Sequence, residues 1–186
     1  HYLEGGDDLK AAEYWLQAST KAQLSSLLKE ARAFAERAVA IYQKYGDPKE
    51  YEATTHLFEI FGVHGSHEEM SRASSRLVKL ARSPEQKADA LVKRADFLHM
   101  TRRYNEALEK INEALVLGVP TSLIHALLRQ VELYCSLRVG QFERAKTALD
   151  EYKNLAVQLD NLEVSGSVME DEGVLYATLD EHEKAI

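Results

Sequence analysis

The sequence predicts an all-α fold built from stacked helical hairpins, and three observations predict it. Ala, Leu, Glu and Lys abound, and only 3 prolines fall in 186 residues, so local propensity favours helix. Apolar residues recur at three- and four-residue spacing over long stretches. A short pattern also returns five times at nearly constant spacing, the mark of a repeat architecture.

In chain order the five copies are Ser25–Ala31, His64–Met70, Thr101–Ala107, Val139–Ala145 and Leu179–Ala185. Each has a short polar break, a bulky or ring-bearing residue in most copies, two polar residues, then a small or flexible apolar one. With Ala31, Met70, Ala107, Ala145 and Ala185 taken as equivalent, the intervals are 39, 37, 38 and 40 residues.

Each period reads as two helices. In the clearest copy Pro84 opens a helix carrying Ala88, Leu91, Val92, Ala95, Leu98 and His99. A break at Arg102-Arg103 follows. The second helix carries Tyr104, Ala107, Leu108, Ile111, Ala114 and Leu115 and ends near Gly118, with Pro120 as a stop. The next copy runs from Pro120 through Leu127, Leu128, Val131, Leu133, Tyr134 and Leu137, breaks at Gly140, and resumes with Phe142, Ala145, Ala148, Leu149 and Leu155. Ala95, Ala107, Ala114 and Ala145 mark close helix crossings, where a larger side chain would push the axes apart. Tyr104 and Phe142 fill the wedge beside each turn, and Trp15 is expected to pack between the first hairpin and its neighbour. A single hairpin cannot bury its apolar stripe alone, so neighbours must stack.

The run Leu91…Ala95…Leu98…Tyr104…Ala107…Ile111…Ala114-Leu115, and a second, Met169…Gly173…Tyr176…His182…Ala185, resemble the tetratricopeptide repeat. The resemblance covers the whole chain and implies a right-handed α-solenoid of about five antiparallel helical hairpins, one repeat domain over residues 1–186. The period of 37–40 exceeds the usual 34, and the copy over residues 51–82 is degenerate, with Met70 and Ser74 where alanine is usual. The opening run His1–Ala18 is similar to the helical repeat region of bacterial signal-transduction ATPases and LuxR-like transcription regulators. That likeness implies a sensor segment binding an inducer or an inhibitory protein, with the ATPase and output modules elsewhere.

Composition narrows the function classes. A net charge of −7 opposes a nucleic-acid footprint, which needs a clustered basic face. Arg102-Arg103 and Arg72/Arg76/Lys79/Arg82 are short, lie among carboxylates and read as solvated helix faces. Cys135, the single cysteine, excludes an internal disulfide and reads as a buried inert thiol. No apolar run reaches the roughly 18 residues of a membrane span. His1-Tyr2-Leu3-Glu4 is neither a signal peptide nor an initiating methionine, so a cytoplasmic piece of a longer protein is expected. Ala185-Ile186 would then begin a final helix with no room to continue.

Chemistry-bearing motifs read as structure. Gly5-Gly6-Asp7-Asp8 is acidic and is expected as a turn before the first helix, not a phosphate loop. His64, His67 and upstream His56 fall in or near an inter-helix turn without converging ligands, so no metal or cofactor is expected. No nucleophile–base–orienter arrangement is visible. The carboxylates Glu68-Glu69 and Glu170-Asp171-Glu172 read as solvated helix faces, and no enzyme activity is expected.

In such a stack the first helix of each pair lines the binding groove. Asp89, Lys93, Asp96 and Met100 follow at intervals of 4, 3 and 4 and share one face. Gln130, Tyr134 and Arg138 do the same in the next unit, and Glu170 with Val174 continues the stripe. This face is the candidate surface for a protein or peptide partner, with Tyr134, Met100, Lys93 and Arg138 as its exposed anchors. The chaperone-tail clamp of some tetratricopeptide domains is disfavoured because Asp96 stands where an amide is wanted; Lys93 and Arg138 leave a pair suited to an acidic peptide. Self-association through apolar terminal faces is the remaining expectation.

Overall fold

The computed structural model describes residues 2–118 and 122–185, with side chains for 7–63, 65–118 and 122–180; Pro120, expected to separate two helices, lies outside them. Among the described residues every regular element is an α-helix: α1 Tyr2–Leu24, α2 Leu28–Tyr45, α3 Glu50–His64, α4 His67–Leu80, α5 Pro84–Met100, α6 Tyr104–Val116, α7 Leu123–Arg138, α8 Phe142–Leu159 and α9 Leu162–Ala185. The chain divides into two compact units, His1–Ala81 with α1–α4 and Arg82–Ile186 with α5–α9. None of the described helices is long and apolar enough to cross a membrane.

Four of the five predicted breaks fall where the spacing put them, and three close in the same way. Ser26, Arg102 and Gly140 each take a left-handed backbone, φ 59°, 60° and 74°. The amide of each donates three residues back, and the next amide reaches five back: Leu27 N–H to Ala22 O, Arg103 N–H to Leu98 O and Gln141 N–H to Ser136 O, all at 2.8 Å. This is the Schellman closure, which satisfies carbonyls that a helix end leaves free. The α3–α4 break differs. Gly65 is extended and Ser66 caps α4 in a capping box with Glu69.

Two expected breaks are absent. The segment Leu179–Ala185 lies inside α9, which runs unbroken from Leu162. It offers neither glycine nor proline, and Leu, Asp, Glu, His, Lys and Ala tolerate helix. No separate final helix begins at Ala185; Ile186 lies outside the described residues. Gly5-Gly6-Asp7-Asp8 likewise sits within α1 rather than before it. Each helical glycine costs about 1 kcal/mol; just beyond the pair, Lys44 Nζ and Tyr45 OH donate to Asp8 Oδ2 at 3.0 and 2.6 Å and tie this part of α1 to α2.

Each unit has a buried cluster of its own. In the first unit Ala12, Ala38, Tyr42 and Ala53 are buried with Leu9, Leu16 and Val39 packed on them. Trp15 packs between α1 and α2: it stacks on Phe34 at 5.3 Å, with the Arg37 guanidinium 4.7 Å from its ring centre. In the second unit Ala126, Leu133, Leu137, Ala145, Leu149, Tyr152, Val168 and Leu175 form one cluster, with Phe142 at its edge. Ala31, Ala95, Ala107, Ala114 and Ala145 are fully covered, as close crossings require.

Candidate functional site

Three helices of the second unit carry the stripe, and each begins at a side-chain cap. Ser83 and Gln86 form a capping box ahead of Pro84 in α5, Ser122 accepts from the His125 amide in α7, and Asn161 accepts from Val164 N–H in α9. These caps satisfy orphan amides and fix where each helix starts. α7 packs against both α5 and α9.

The stripe is less open than its spacing suggests. Asp89 is not an outward residue: it is 8% exposed, and Lys93 Nζ, itself largely covered, donates to its carboxylate. Tyr134 is only partly exposed. Its hydroxyl donates to Asp171 Oδ1 at 2.5 Å, and Gln130 Nε2 donates to Oδ2 at 2.8 Å. The carboxylate of Asp171, 3% exposed, is thus gripped from α7 by two side chains, which is how a buried charge is tolerated. Burial and this hydrogen bond hold the Tyr134 phenol well above its usual range. Of the eight residues, Met100, Arg138 and Glu170 remain exposed.

His99 joins the two halves of the face. Its ring stacks on Tyr134 at 5.7 Å and lies tilted against Tyr104 at 6.1 Å. Burial pushes the imidazole below its ordinary pKa; Asp96 opposes this and Arg138 reinforces it. Burial raises Asp96 in turn, against the pull of His99 and Lys93. The site therefore has an aromatic, largely neutral floor at His99 and Tyr134, with the Met100 thioether and the Arg138 guanidinium accessible.

The spacing missed Asp171 and His99. Asp171 was grouped with Glu170 and Glu172 as a solvated face, yet only Glu170 is fully open, and Glu172 pairs with Lys153. A signal was present, since Val168, Asp171 and Leu175 fall on one helical stripe and both neighbours are core residues. His99 was read only as part of the apolar stripe.

The histidines of the first unit are not gathered. His56 Nε2 lies 2.9 Å from Ser19 Oγ, which donates its own proton to Ala31 O at 2.6 Å. The imidazole is therefore the donor. His67 is exposed, and the His64 side chain lies outside the described residues. Among the described residues no three His, Cys, Asp or Glu converge as metal ligands.

Three of the polar ties that span 37 residues join helices two apart in the chain, whereas a fourth, Tyr45–Asp8, joins the adjacent α2 and α1, and Gln130–Asp171, also from α7 to α9, spans 41. Ser19–His56 joins α1 to α3, Arg32–Glu69 joins α2 to α4, and Tyr134–Asp171 joins α7 to α9, each across 37 residues. That is the lower bound of the repeat interval read from the sequence. No protein-family model matches the chain, and a search of the curated proteins finds no match.

Proposed function

We propose that this chain is a tetratricopeptide-like array of antiparallel hairpins in a right-handed solenoid, serving as a scaffold that binds a protein or peptide partner. The partner would lie along α5, α7 and α9. The repeat part is supported by ties between alternate helices, α1 to α3, α2 to α4 and α7 to α9, because contact between successive helix pairs is what nearest-neighbour stacking produces. For the binding part, the support is a floor in which Tyr134, Gln130 and Asp171 are committed to one another and His99 is stacked on Tyr134. Such a floor is rigid and costs little to order on binding, while Met100 and Arg138 stay free to contact a partner.

The test uses the full chain. Arg138→Glu with Met100→Lys leaves the Tyr134–Asp171–Gln130 grip untouched, whereas Val157→Lys alters an exposed position of α8. With equal circular dichroism, the double variant should lose proteins retained from native lysate, and Val157→Lys should keep them. Identical retention by all three proteins would remove this face from consideration.

A further inference from the structure

A second concavity lies in the other unit and owes nothing to the α5–α7–α9 face. It is a cleft of about 450 Å³ bounded by α2, α3 and α4, within the size range of small-molecule sites. Its apolar lining includes Val39, Leu57, Phe61 and Ala73, and Arg32, Arg72 and Arg76 reach it from α2 and α4.

Two of these arginines are held in place by carboxylates. Arg76 gives Nε and Nη2 to Glu50 Oε1 at 2.8 and 2.5 Å, and Glu50 is 4% exposed. Arg32 gives Nε to Glu36 at 2.9 Å and Nη2 to Glu69 at 2.5 Å, with its guanidinium 5.2 Å from the Phe61 ring centre. Glu69 is itself anchored by the Ser66 amide at 2.9 Å. Each fork thus keeps its Nη1 donors unpaired among the described residues. Arg72 is looser, 3.8 Å from Glu68. Thr54 also lines the cleft, and its buried hydroxyl has no hydrogen-bond partner among the described residues, so it can accept or donate one bond to a ligand at little cost.

The charges choose the ligand. Three guanidinium groups face three carboxylates, Glu36, Glu50 and Glu69, so the cleft is near neutral. A dianion would meet repulsion from the glutamates, whereas one carboxylate can take the free fork donors with bidentate geometry. We propose that the α2–α3–α4 cleft binds a small amphipathic monocarboxylic acid, its carboxylate on Arg32 and Arg76, its apolar body on Leu57 and Phe61, and a hydrogen bond to Thr54.

The test titrates the full chain with hexanoate, phenylacetate, hexanamide and inorganic phosphate, read by amide chemical shifts and calorimetry. The acids should give saturable shifts confined to α2–α4, with hexanamide about tenfold weaker or worse and phosphate without a saturable effect. Arg32→Gln should weaken the acids about tenfold; should it fold poorly, Arg32→Lys, which keeps the charge but not the fork, should still weaken them several-fold. Thr54→Val, isosteric and without the orphan hydroxyl, should fold normally and bind more weakly. Silence of both acids at about 10 mM would overturn the proposal. Equal binding of acid and amide, or affinity unchanged in a folded Arg32 variant, would do the same. Arg138→Glu should leave the acids unaffected, so this site and the partner-binding face fail separately.

Discussion

Glu132 in α7 sits at the centre of an ion network spanning α6, α7 and α8, and replacing it by Gln removes the charge while keeping the shape. Its Oε2 accepts from Arg129 Nη1 at 2.6 Å and its Oε1 from Arg144 Nε at 2.8 Å, while Arg144 Nη2 donates to Asn112 Oδ1 at 2.7 Å. The Glu132 side chain is 6% exposed, Arg129 12% and Arg144 27%. Removing one partner of a fully buried pair costs about 3–5 kcal/mol because the other charge is stranded. Here Arg129 retains Glu151, and Arg144 can partly rehydrate. A loss of about 2–3 kcal/mol is therefore expected, or roughly 5–10 °C in Tm for a chain of this size. Glu106→Gln breaks the Arg103 pair, whose side chains are about half exposed, and should cost much less because solvent screens it. Urea unfolding followed by circular dichroism measures both. Hydrogen exchange should show Glu132→Gln loosening α7 and α8 while α1–α4 stay protected. A Glu132→Gln loss no greater than that of Glu106→Gln would refute the reasoning. The full apolar replacement, Arg129→Met with Glu132→Leu and Arg144→Met, should recover most of the loss, since the one charge that loses its partner, Glu151, is 44% exposed and can hydrate.

Three further outcomes follow from the same geometry. Ser26→Gly and Arg102→Gly should each raise unfolding free energy by about 0.5–1 kcal/mol by relieving left-handed backbone strain, net of glycine's extra freedom when unfolded; a loss in both would refute the strain. Tyr134→Phe should destabilise by about 1–3 kcal/mol, because buried Asp171 loses one of its two donors, and hydrogen exchange should speed up in α9. Stability should also fall on acidification. His56, His99 and His125 are all held below their ordinary pKa, chiefly by burial, so below about pH 6.5 the unfolded chain binds protons that the folded chain resists. Their contribution is complete above that pH and is lost as the pH drops toward the depressed folded values. A urea midpoint unchanged between pH 7.5 and pH 5.5 would contradict this.

What was legible in the sequence was the periodic part. Small residues at Ala31, Ala107 and Ala145 are required wherever two helices cross closely, and the same packing problem recurs in each repeat, so its solution recurs in the letters. The breaks at Ser26, Arg102 and Gly140 were legible for the same reason, although only Gly140 announces a left-handed residue. The break expected at Leu179 rested on alignment alone, without a residue able to end a helix, and the chain continues through it. The candidate face was legible as a stripe but not in its depth. A carboxylate in a helical pattern reads as solvated until its partners are placed: Glu132 has Arg129 three residues away but also Arg144 twelve away, and Asp171 has Tyr134 at 37. Asp89 was misjudged although Lys93 was beside it, because a four-residue pair gives no hint that both are covered.

Cys135 lies on α7 with no exposed surface, and burial pushes its thiol up to about 12. At pH 8 only about one such thiol in ten thousand would be ionised, and thiolate is the form that reacts. Alkylation of the folded chain should therefore wait for α7 to open. Being the single cysteine in the sequence, it makes this protein its own clock: the labelling rate, followed by mass alone, times how often the core of the second unit comes apart, with no reporter group added.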